Sequence, residues 1–183
     1  MQKPADLLDY GILQEKSDYR VHVCPRVQRV YIYETSNGVK AIESGVYRSV
    51  PAFQPNVEGP TAEGFLVPPR DIDGCVEIVL RENEAANFFA SDSTSQKGGK
   101  AQDLVCRLIK YGGLPIPRIS NPVSDTDLDI QGVDIIVVKP RVLYGDRDLT
   151  IQVKCDLPGG DKNLGGTGYL FLQTRERNPL RLH

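Results

Sequence analysis

Three polar residues in the C-terminal half have the types and spacing that metal-assisted hydrolysis of a phosphodiester requires. Asp134 lies near the start of the apolar segment 132–138, and Gln152 and Lys154 alternate with apolar residues in segment 150–155. Successive side chains of a strand leave opposite faces, so Gln152 and Lys154 are predicted to share one face. An acid and an amide oxygen can hold Mg²⁺. A lysine can orient the attacking water or neutralise charge on the phosphate.

The same pattern has a structural interpretation. Asp134 is then a strand-end acid, and Gln152 and Lys154 form a solvated strand face with Lys154 as an edge charge. An acid inside a run as apolar as 133–138 fits this interpretation less well, because burying a charge without a partner is costly. In both interpretations Ile151, Val153 and Cys155 point into a core.

Length and composition predict one globular domain, or one domain with a sizeable extension. The chain has 183 residues, of which 40% are hydrophobic and 25% charged, as is usual for such domains. No apolar run approaches the roughly 18 residues of a membrane span. The N-terminus lacks a basic segment followed by an apolar stretch, so no signal peptide is expected and the cytoplasm is the predicted location.

The number and spacing of cysteines and histidines limit the kinds of metal site and catalytic base that are expected. The four cysteines are scattered without a C-x-x-C pair, which favours reduced cytosolic thiols over a zinc site or a disulfide framework. With His22 and His183 as the two histidines, catalysis by a histidine base is not expected.

Charge is distributed unevenly along the chain. Residues 1–95 carry a net charge of −5 and residues 96–183 carry +3, which together give the overall −2. The basic half is the half with the candidate site, which is compatible with a polyanionic substrate.

The N-terminal part has the alternating pattern of β-structure. Strands are expected at 20–24, 27–35, 39–50 and 75–80, and Asn37-Gly38 predicts a hairpin turn between the second and third of these. Segment 64–67 is a possible short strand, and a helix is expected at 82–90, followed by a linker or helix lead-in at 91–99.

Segment 100–111 gives the clearest helical pattern. On a helical wheel its apolar residues Ala101, Leu104, Val105, Leu108 and Ile109 form one stripe. Gln102 lies just outside one edge of that stripe, so it can face whatever the helix packs on. Asp103 is nearly opposite and should face water, and Gly112-Gly113 is expected to end the helix.

The order of these elements resembles the PD-(D/E)XK nuclease superfamily, and most closely the Mrr-like restriction endonucleases and the archaeal Holliday-junction resolvases. Lys97-Gly98 before a helix that a glycine closes is similar to the first helix of the resolvases. Segment 132–136 resembles the strand that carries the motif aspartate, and Gln152-Val153-Lys154 matches the E-x-K position in its Q-x-K variant. The resemblance covers roughly residues 97–155.

The resemblance implies a site, and the chain departs from the family pattern at two positions of that site. Gln102 stands where the first helix carries an acid, and Gln152 where E-x-K carries one. The implied ligands of Mg²⁺, or of Mn²⁺, are Asp134, the Gln152 side-chain oxygen and the Val153 carbonyl, with Lys154 and Gln102 assisting the water. A second acid could come from Asp127 or Asp129, whereas Asp103 is a poor substitute.

Predicted nucleic-acid contacts complete the expected site. They are four basic residues: Lys97, Lys100, Arg175 and Arg177. For the arginines, a solvated basic tail is an equally good interpretation.

The resemblance implies an α/β (α+β) fold with a restriction-endonuclease-like mixed central sheet flanked by helices. Residues 1–95 are a β-rich part for recognition or assembly, and 96–183 are the nuclease-like core of what is one compact domain overall. The leading hypothesis is a Mg²⁺-dependent DNA endonuclease, and cutting both strands implies a homodimer or higher assembly. The alternatives are a non-catalytic nucleic-acid-binding module on a degenerate nuclease fold, and a structural or partner-binding protein.

Overall fold

The computed structural model describes residues 17–52, 58–59, 62–89, 94–111, 122–124, 135–137, 149–155 and 169–176. Within these ranges the chain forms nine strands and three α-helices. In chain order they are β1 (Tyr19–Cys24), β2 (Arg29–Glu34), α1 (Thr35–Ser44), β3 (Ser49–Ala52), β4 (Ala62–Val67), β5 (Val76–Val79), α2 (Glu82–Phe89), α3 (Thr94–Lys110), β6 (Pro122–Ser124), β7 (Ile135–Val137), β8 (Leu149–Cys155) and β9 (Leu170–Glu176). Short 3₁₀ turns occupy Pro25–Val27 and Pro69–Asp71.

The main sheet has six strands in the order β5-β2-β1-β8-β7-β6. β1 and β8 run parallel, and the other neighbours are antiparallel, so the sheet is mixed. Three of its strands come from residues 1–95 and three from residues 96–183. The two sequence halves therefore meet at the β1–β8 contact in the middle of one sheet, and the chain is a mixed α/β protein.

Helix α3 covers one face of this sheet. Its residues Ala101, Leu104, Val105 and Ile109 are buried in one core with Val21, Val23, Ile151 and Val153. This confirms the apolar stripe that the wheel predicts, and Asp103 is exposed as expected. Strand β8 also matches its pattern, because Ile151 and Val153 point into this core and Cys155 packs against it.

A second core lies on the opposite face of the sheet. Residues from β1 and β2 meet α1 there, together with strands of a separate three-stranded sheet, β3-β4-β9. Its buried members include Cys24, Tyr31, Tyr33, Ile42 and Leu172. The six-stranded sheet is thus packed on both faces, which explains why its central strands carry few exposed positions.

The predicted hairpin at Asn37-Gly38 is wrong, because these residues lie in helix α1. Thr35, Gly38, Ala41 and Ile42 are its buried residues, and their spacing of three to four follows a helical period. Strand β2 pairs with β1 and β5 instead of a third consecutive strand. A local turn signal is therefore overridden by the apolar face that α1 buries.

The structure also moves the start of helix α3. Lys97 and Gly98 lie inside the helix, which begins at Thr94 instead of after them. Gly98 and Gly99 are tolerated because the helix continues on both sides of them, although each costs about 1 kcal/mol relative to alanine. The expected helix at 82–90 is confirmed as α2, and the strands at 20–24, 64–67 and 75–80 are confirmed as β1, β4 and β5.

All four cysteines lie in the described ranges as free thiols. Cys24 is buried and the other three are half-buried. Burial, assisted by the negative charge of Glu77, raises the pKa of the Cys75 thiol to about 11. This thiol is therefore protonated, and unreactive as a nucleophile, at neutral pH.

None of the described helices combines the length and the apolar character that crossing a lipid bilayer requires.

Gly38 allows α1 to approach the sheet closely. A Cβ at this position would lie 2.7 Å from Cε2 of the buried Tyr33 ring. We expect Gly38→Ala to lower the free energy of unfolding by about 1–2 kcal/mol, since overpacking outweighs the gain in helix propensity. Gly99→Ala in α3 is the matched control, because a Cβ there meets nothing within 4 Å. It should stabilise the protein by up to about 1 kcal/mol. Urea denaturation of both variants tests this, and a Gly38→Ala protein as stable as Gly99→Ala would contradict it.

Candidate functional site

A row of polar side chains runs along the junction of β1 and β8. Arg20 pairs with Gln152 and His22 with Lys154 in the parallel ladder. One rung earlier, the backbone N–H of Asp18 donates to the carbonyl of Thr150 at 2.8 Å. Paired residues of neighbouring strands point to the same side of a sheet. These residues therefore share one face, and we call them the β1–β8 polar row: Asp18, Arg20, His22, Thr150, Gln152 and Lys154.

The sequence produces this row by alternation. In both strands the intervening residues, such as Val21 and Ile151, are buried in the core under α3. The polar residues are consequently directed to the opposite face of the sheet, where the second core also lies. The row is an interior feature, because Arg20 is 3% exposed and Gln152 is 5% exposed.

Two residues of the row have buried side-chain atoms that lack a hydrogen-bond partner among the described residues: Arg20 at Nε and Nη2, and Gln152 at Oε1. Leaving a buried acceptor unsatisfied costs about 1–3 kcal/mol, so such an atom calls for an explanation. A neutral oxygen without a donor fits the role of a ligand to a hard cation such as Mg²⁺.

Lys154 lies two residues after Gln152 in β8, so the two side chains leave the same face of the strand. Its side chain is half-buried. Gln152 is 5% exposed, so its interpretation as part of a solvated face is wrong. The described pairing of β8 with β7 ends at Ile151, so the interpretation of Lys154 as an edge charge is not tested. The prediction that these two side chains share a face follows from the observed strand.

His22 faces Lys154 across the β1–β8 junction and is fully buried. Its Nε2 atom is hydrogen-bonded to the hydroxyl of Tyr33 at 2.8 Å. Tyr33 lies on β2, packed beneath α1. A third strand thus fixes the orientation of the imidazole beside the lysine.

Asp18 supplies an acid to the row that the sequence does not single out. Its Oδ2 atom accepts hydrogen bonds from the backbone N–H of Thr150 at 2.9 Å and from the Thr150 hydroxyl at 3.2 Å. These bonds tie the start of β1 to β8. The available signal was the alternation of Asp18, Arg20 and His22 with Tyr19, Val21 and Val23, which puts three polar residues on one face.

Asp134, the predicted metal-binding acid, lies outside the described residues, as do Asp127 and Asp129. The residue bonded to it, Ile135, is buried and pairs with Ile151 across the antiparallel β7–β8 ladder. Val153, whose carbonyl is a predicted ligand, has its side chain in the core under α3. Within the described ranges, no three His, Cys, Asp or Glu residues lie together as a metal site.

Gln102 is not brought together with Gln152 and Lys154. It is half-buried on α3, and α3 packs on the face that carries Ile151 and Val153. Gln152 and Lys154 leave the opposite face of the same strand. The sheet itself therefore separates Gln102 from the polar row.

Two of the predicted nucleic-acid contacts, Lys97 and Lys100, lie three residues apart on α3. Lys97 is half-buried on α3, and the Lys100 ammonium donates to the Asn87 carbonyl at 2.8 Å, which joins α3 to the last turn of α2. Arg175 belongs to β9, and Arg177 lies outside the described residues.

A cavity of about 550 Å³ opens between α2 and α3. Its charged lining consists of two acids and two cations: Glu84, Asp103, Lys100 and Arg107. This balance of charge gives no preference for a polyanion.

The chain was compared with protein-family models, with curated proteins and with solved structures, and no match was found in any of the three comparisons.

Proposed function

We propose that the protein is a Mg²⁺-dependent endonuclease that hydrolyses DNA phosphodiester bonds, built on a restriction-endonuclease-like fold. The observation that supports this most is the buried Gln152 Oε1, which has no hydrogen-bond partner among the described residues. It lies on the same face of a central strand as the Lys154 ammonium. A cation ligand beside a lysine is the pairing that the Q-x-K motif implies.

Chain connectivity supports the assignment of Asp134 as the acidic ligand. Ile135 pairs with Ile151, and the ladder is antiparallel. Asp134 precedes Ile135 in the chain and Gln152 follows Ile151, so each proposed ligand is one residue away from this pair. In this arrangement Asp134 and Gln152 would hold the cation between them, with further positions filled by water and substrate phosphate.

Each residue of the proposed site then has its own role in the reaction. Bound at this place, Mg²⁺ would supply positive charge to the oxygens of the phosphate. Lys154 would orient the attacking water and neutralise the negative charge that builds on the phosphate as this water attacks phosphorus. His22, held by Tyr33, packs beside Lys154 and restricts its position. Because one site cuts one strand, we propose that the enzyme acts as a cytoplasmic homodimer or higher homo-oligomer.

The test is cleavage of supercoiled plasmid DNA by the purified protein with Mg²⁺, with Mn²⁺ and with EDTA. We expect nicked and linear products with either metal and none with EDTA. Asp134→Ala and Lys154→Ala, purified in parallel, should be inactive, whereas Asp103→Ala, which removes an exposed acid of α3, should cleave like wild type. Equal cleavage by all four proteins would show that the activity does not come from this site.

The second candidate is a non-catalytic nucleic-acid-binding module. The neutral carboxamide of Gln152 at the position of an acid favours it, because an amide binds a hard cation more weakly than a carboxylate does. Salt-dependent DNA binding without cleavage in either metal is the result that this candidate predicts.

A further inference from the structure

We propose that strand β5 is the surface through which two copies of this chain associate, by pairing their β5 strands antiparallel about a twofold axis at Ile78. The two main sheets would then join into one continuous sheet. This association needs neither metal nor DNA, so it does not rest on the proposed activity.

Strand β5 is the outer strand at one end of the main sheet. In the part of the chain that the structure describes, β2 is the one strand that pairs with it. Proline in an outer strand blocks pairing with another chain, because it has no N–H to donate. The outer strands β3 and β6 contain Pro51 and Pro122, whereas β5 has the sequence Val-Glu-Ile-Val. Strand β5 therefore lacks the proline that protects these two other edges.

The backbone of β5 directs hydrogen-bonding groups toward this edge. The N–H of Leu80 donates to the carbonyl of Gln28 at 2.9 Å, next to the antiparallel β5–β2 ladder. In such a ladder every second residue bonds to the neighbouring strand, and the residues between them point their N–H and C=O groups away from it. Counting from Leu80, the outward residues are Val79 and Glu77. They offer two donors and two acceptors to an added strand.

The side chains of β5 include apolar groups that face solvent. Val79 is 66% exposed and Val76 is 37% exposed, while Ile78 is partly buried against the core under α3. In the proposed register Ile78 lies directly opposite Ile78 of the second copy. The core under α3 would thus continue across the interface, and the solvent-facing valines would be partly covered.

Complementarity of β5 with itself favours a second copy as the occupant of this edge. In the same register Val79 lies opposite Glu77 of the second copy, which pairs each outward residue with an outward residue and gives four backbone hydrogen bonds. Glu77 and Arg81 are both exposed, and Arg81 would be diagonal to Glu77 of the second copy. Long side chains reach across such a diagonal. The twofold axis forms this contact between opposite charges twice.

The strength of association follows from the size of the contact. Strand β5 has four residues, so the pairing buries a small area and we expect a dissociation constant in the micromolar range. Sedimentation velocity of the full chain over roughly 1–300 µM, in EDTA and without DNA, measures it. The expected result is a monomer at the low end of this range and a dimer at the high end.

Two substitutions of Val79 test the register by charge. Val79→Glu places two carboxylates opposite Glu77 of the second copy, once on each side of the axis. We expect it to raise the dissociation constant roughly 10- to 100-fold. Val79→Lys places opposite charges there instead, so it should dimerise at least about 10-fold more tightly than Val79→Glu. Val46→Glu adds the same charge at a valine outside β5 that is 83% exposed, and should behave as wild type.

The fold is expected to survive these changes. Within its own chain Val79 lies opposite Arg29, so the glutamate of Val79→Glu gains a nearby cation. Circular dichroism establishes that each variant is folded.

Cross-linking tests the axis by distance. Two Ile78 residues would be a directly opposite pair without mutual hydrogen bonds, with Cα atoms about 4.5 Å apart, which a disulfide can span. We expect Ile78→Cys to form a disulfide-linked dimer on mild oxidation. Val76→Cys should not, because position 76 lies opposite Leu80 of the second copy. Wild type, with its four free thiols, gives the background.

Each outcome supports or overturns the pairing. A wild-type protein that is monomeric at every concentration overturns it, as it would if another segment of the chain or a peptide of another protein occupied this edge. A dimer that Val79→Glu leaves intact uses another surface and also overturns it. Equal dissociation in Val79→Glu and Val79→Lys, or equal cross-linking of Val76→Cys and Ile78→Cys, overturns the register. If the Val79 variants do not fold, the cross-linking decides.

Failure of this interface is distinguishable from failure of the proposed activity. Metal-dependent cleavage of DNA by a protein that does not pair through β5 leaves the hydrolysis standing and removes this interface. A β5 dimer that does not cleave DNA leaves the interface standing and removes the nuclease.

Discussion

Lys154→Met should lower the rate of DNA cleavage by about 10²- to 10⁴-fold while leaving the protein folded. The reason is that a positioned acid–base group contributes a factor of this size when it acts on the reacting water. Methionine fills a similar volume, and Lys154 is half-buried on an internal strand, so packing should largely survive. Single-turnover cleavage of plasmid DNA with saturating Mg²⁺ measures the effect.

Two further variants make the Lys154 result specific. Lys40→Met removes an exposed lysine of α1 and should cleave at the wild-type rate. Lys154→Arg keeps the positive charge but cannot accept a proton. Partial activity in Lys154→Arg would assign Lys154 mainly to charge stabilisation, and full loss would assign it to proton transfer. Wild-type activity in Lys154→Met would remove this residue from the mechanism.

Gln152→Glu should convert the site into one that binds Mg²⁺ roughly 10- to 100-fold more tightly, because charge on the ligands sets the affinity for a hard cation. The carboxylate would replace an amide oxygen that has no hydrogen-bond partner among the described residues. Added Mg²⁺ should raise the melting temperature of the variant more than that of wild type, because the ion binds the folded state.

Melting curves with and without Mg²⁺, together with titration calorimetry, test the Gln152→Glu prediction. Gln96→Glu is the control, because Gln96 is an exposed residue of α3 and its change adds the same charge away from the row. Its response to Mg²⁺ should equal that of wild type. The same Mg²⁺-induced shift in all three proteins would mean that Gln152 is not a metal ligand.

Much of the fold follows from local patterns in the sequence. The alternation around Gln152 and Lys154 predicts β8 and its two faces, and the apolar stripe of 101–109 predicts the packed side of α3. Both depend on side chains within one element, so the sequence alone contains the information. The start of α3 is missed because Gly98 and Gly99 look like a break, whereas packing of the following turns extends the helix through them.

The failure at Asn37-Gly38 has a different physical cause. Asn-Gly favours a tight turn locally, but burial of Thr35, Gly38, Ala41 and Ile42 against the sheet outweighs that preference. Sheet order is also beyond local patterns. Strands β1 and β8 are separated by more than a hundred residues and pair in parallel. No local turn sequence therefore indicates that these two strands are neighbours.

In the candidate site, too, features within one element could be predicted and features that depend on pairing between elements could not. The shared face of Gln152 and Lys154 could be predicted, because both belong to one strand. Arg20, His22 and Asp18 could not be placed beside them, since their proximity depends on the β1–β8 pairing. The separation of Gln102 from the row follows from α3 covering the other face, which a helical wheel cannot reveal.

A crystal structure of the protein soaked in Mn²⁺, with anomalous scattering used to locate the ion, shows whether Gln152 and Asp134 share a metal. We expect one peak about 2.2 Å from Gln152 Oε1, with a carboxylate oxygen of Asp134 in the same coordination sphere and Lys154 facing its water ligands. No peak at Gln152, or an Asp134 carboxylate too far away to share an ion with it, would mean that the proposed metal site does not exist.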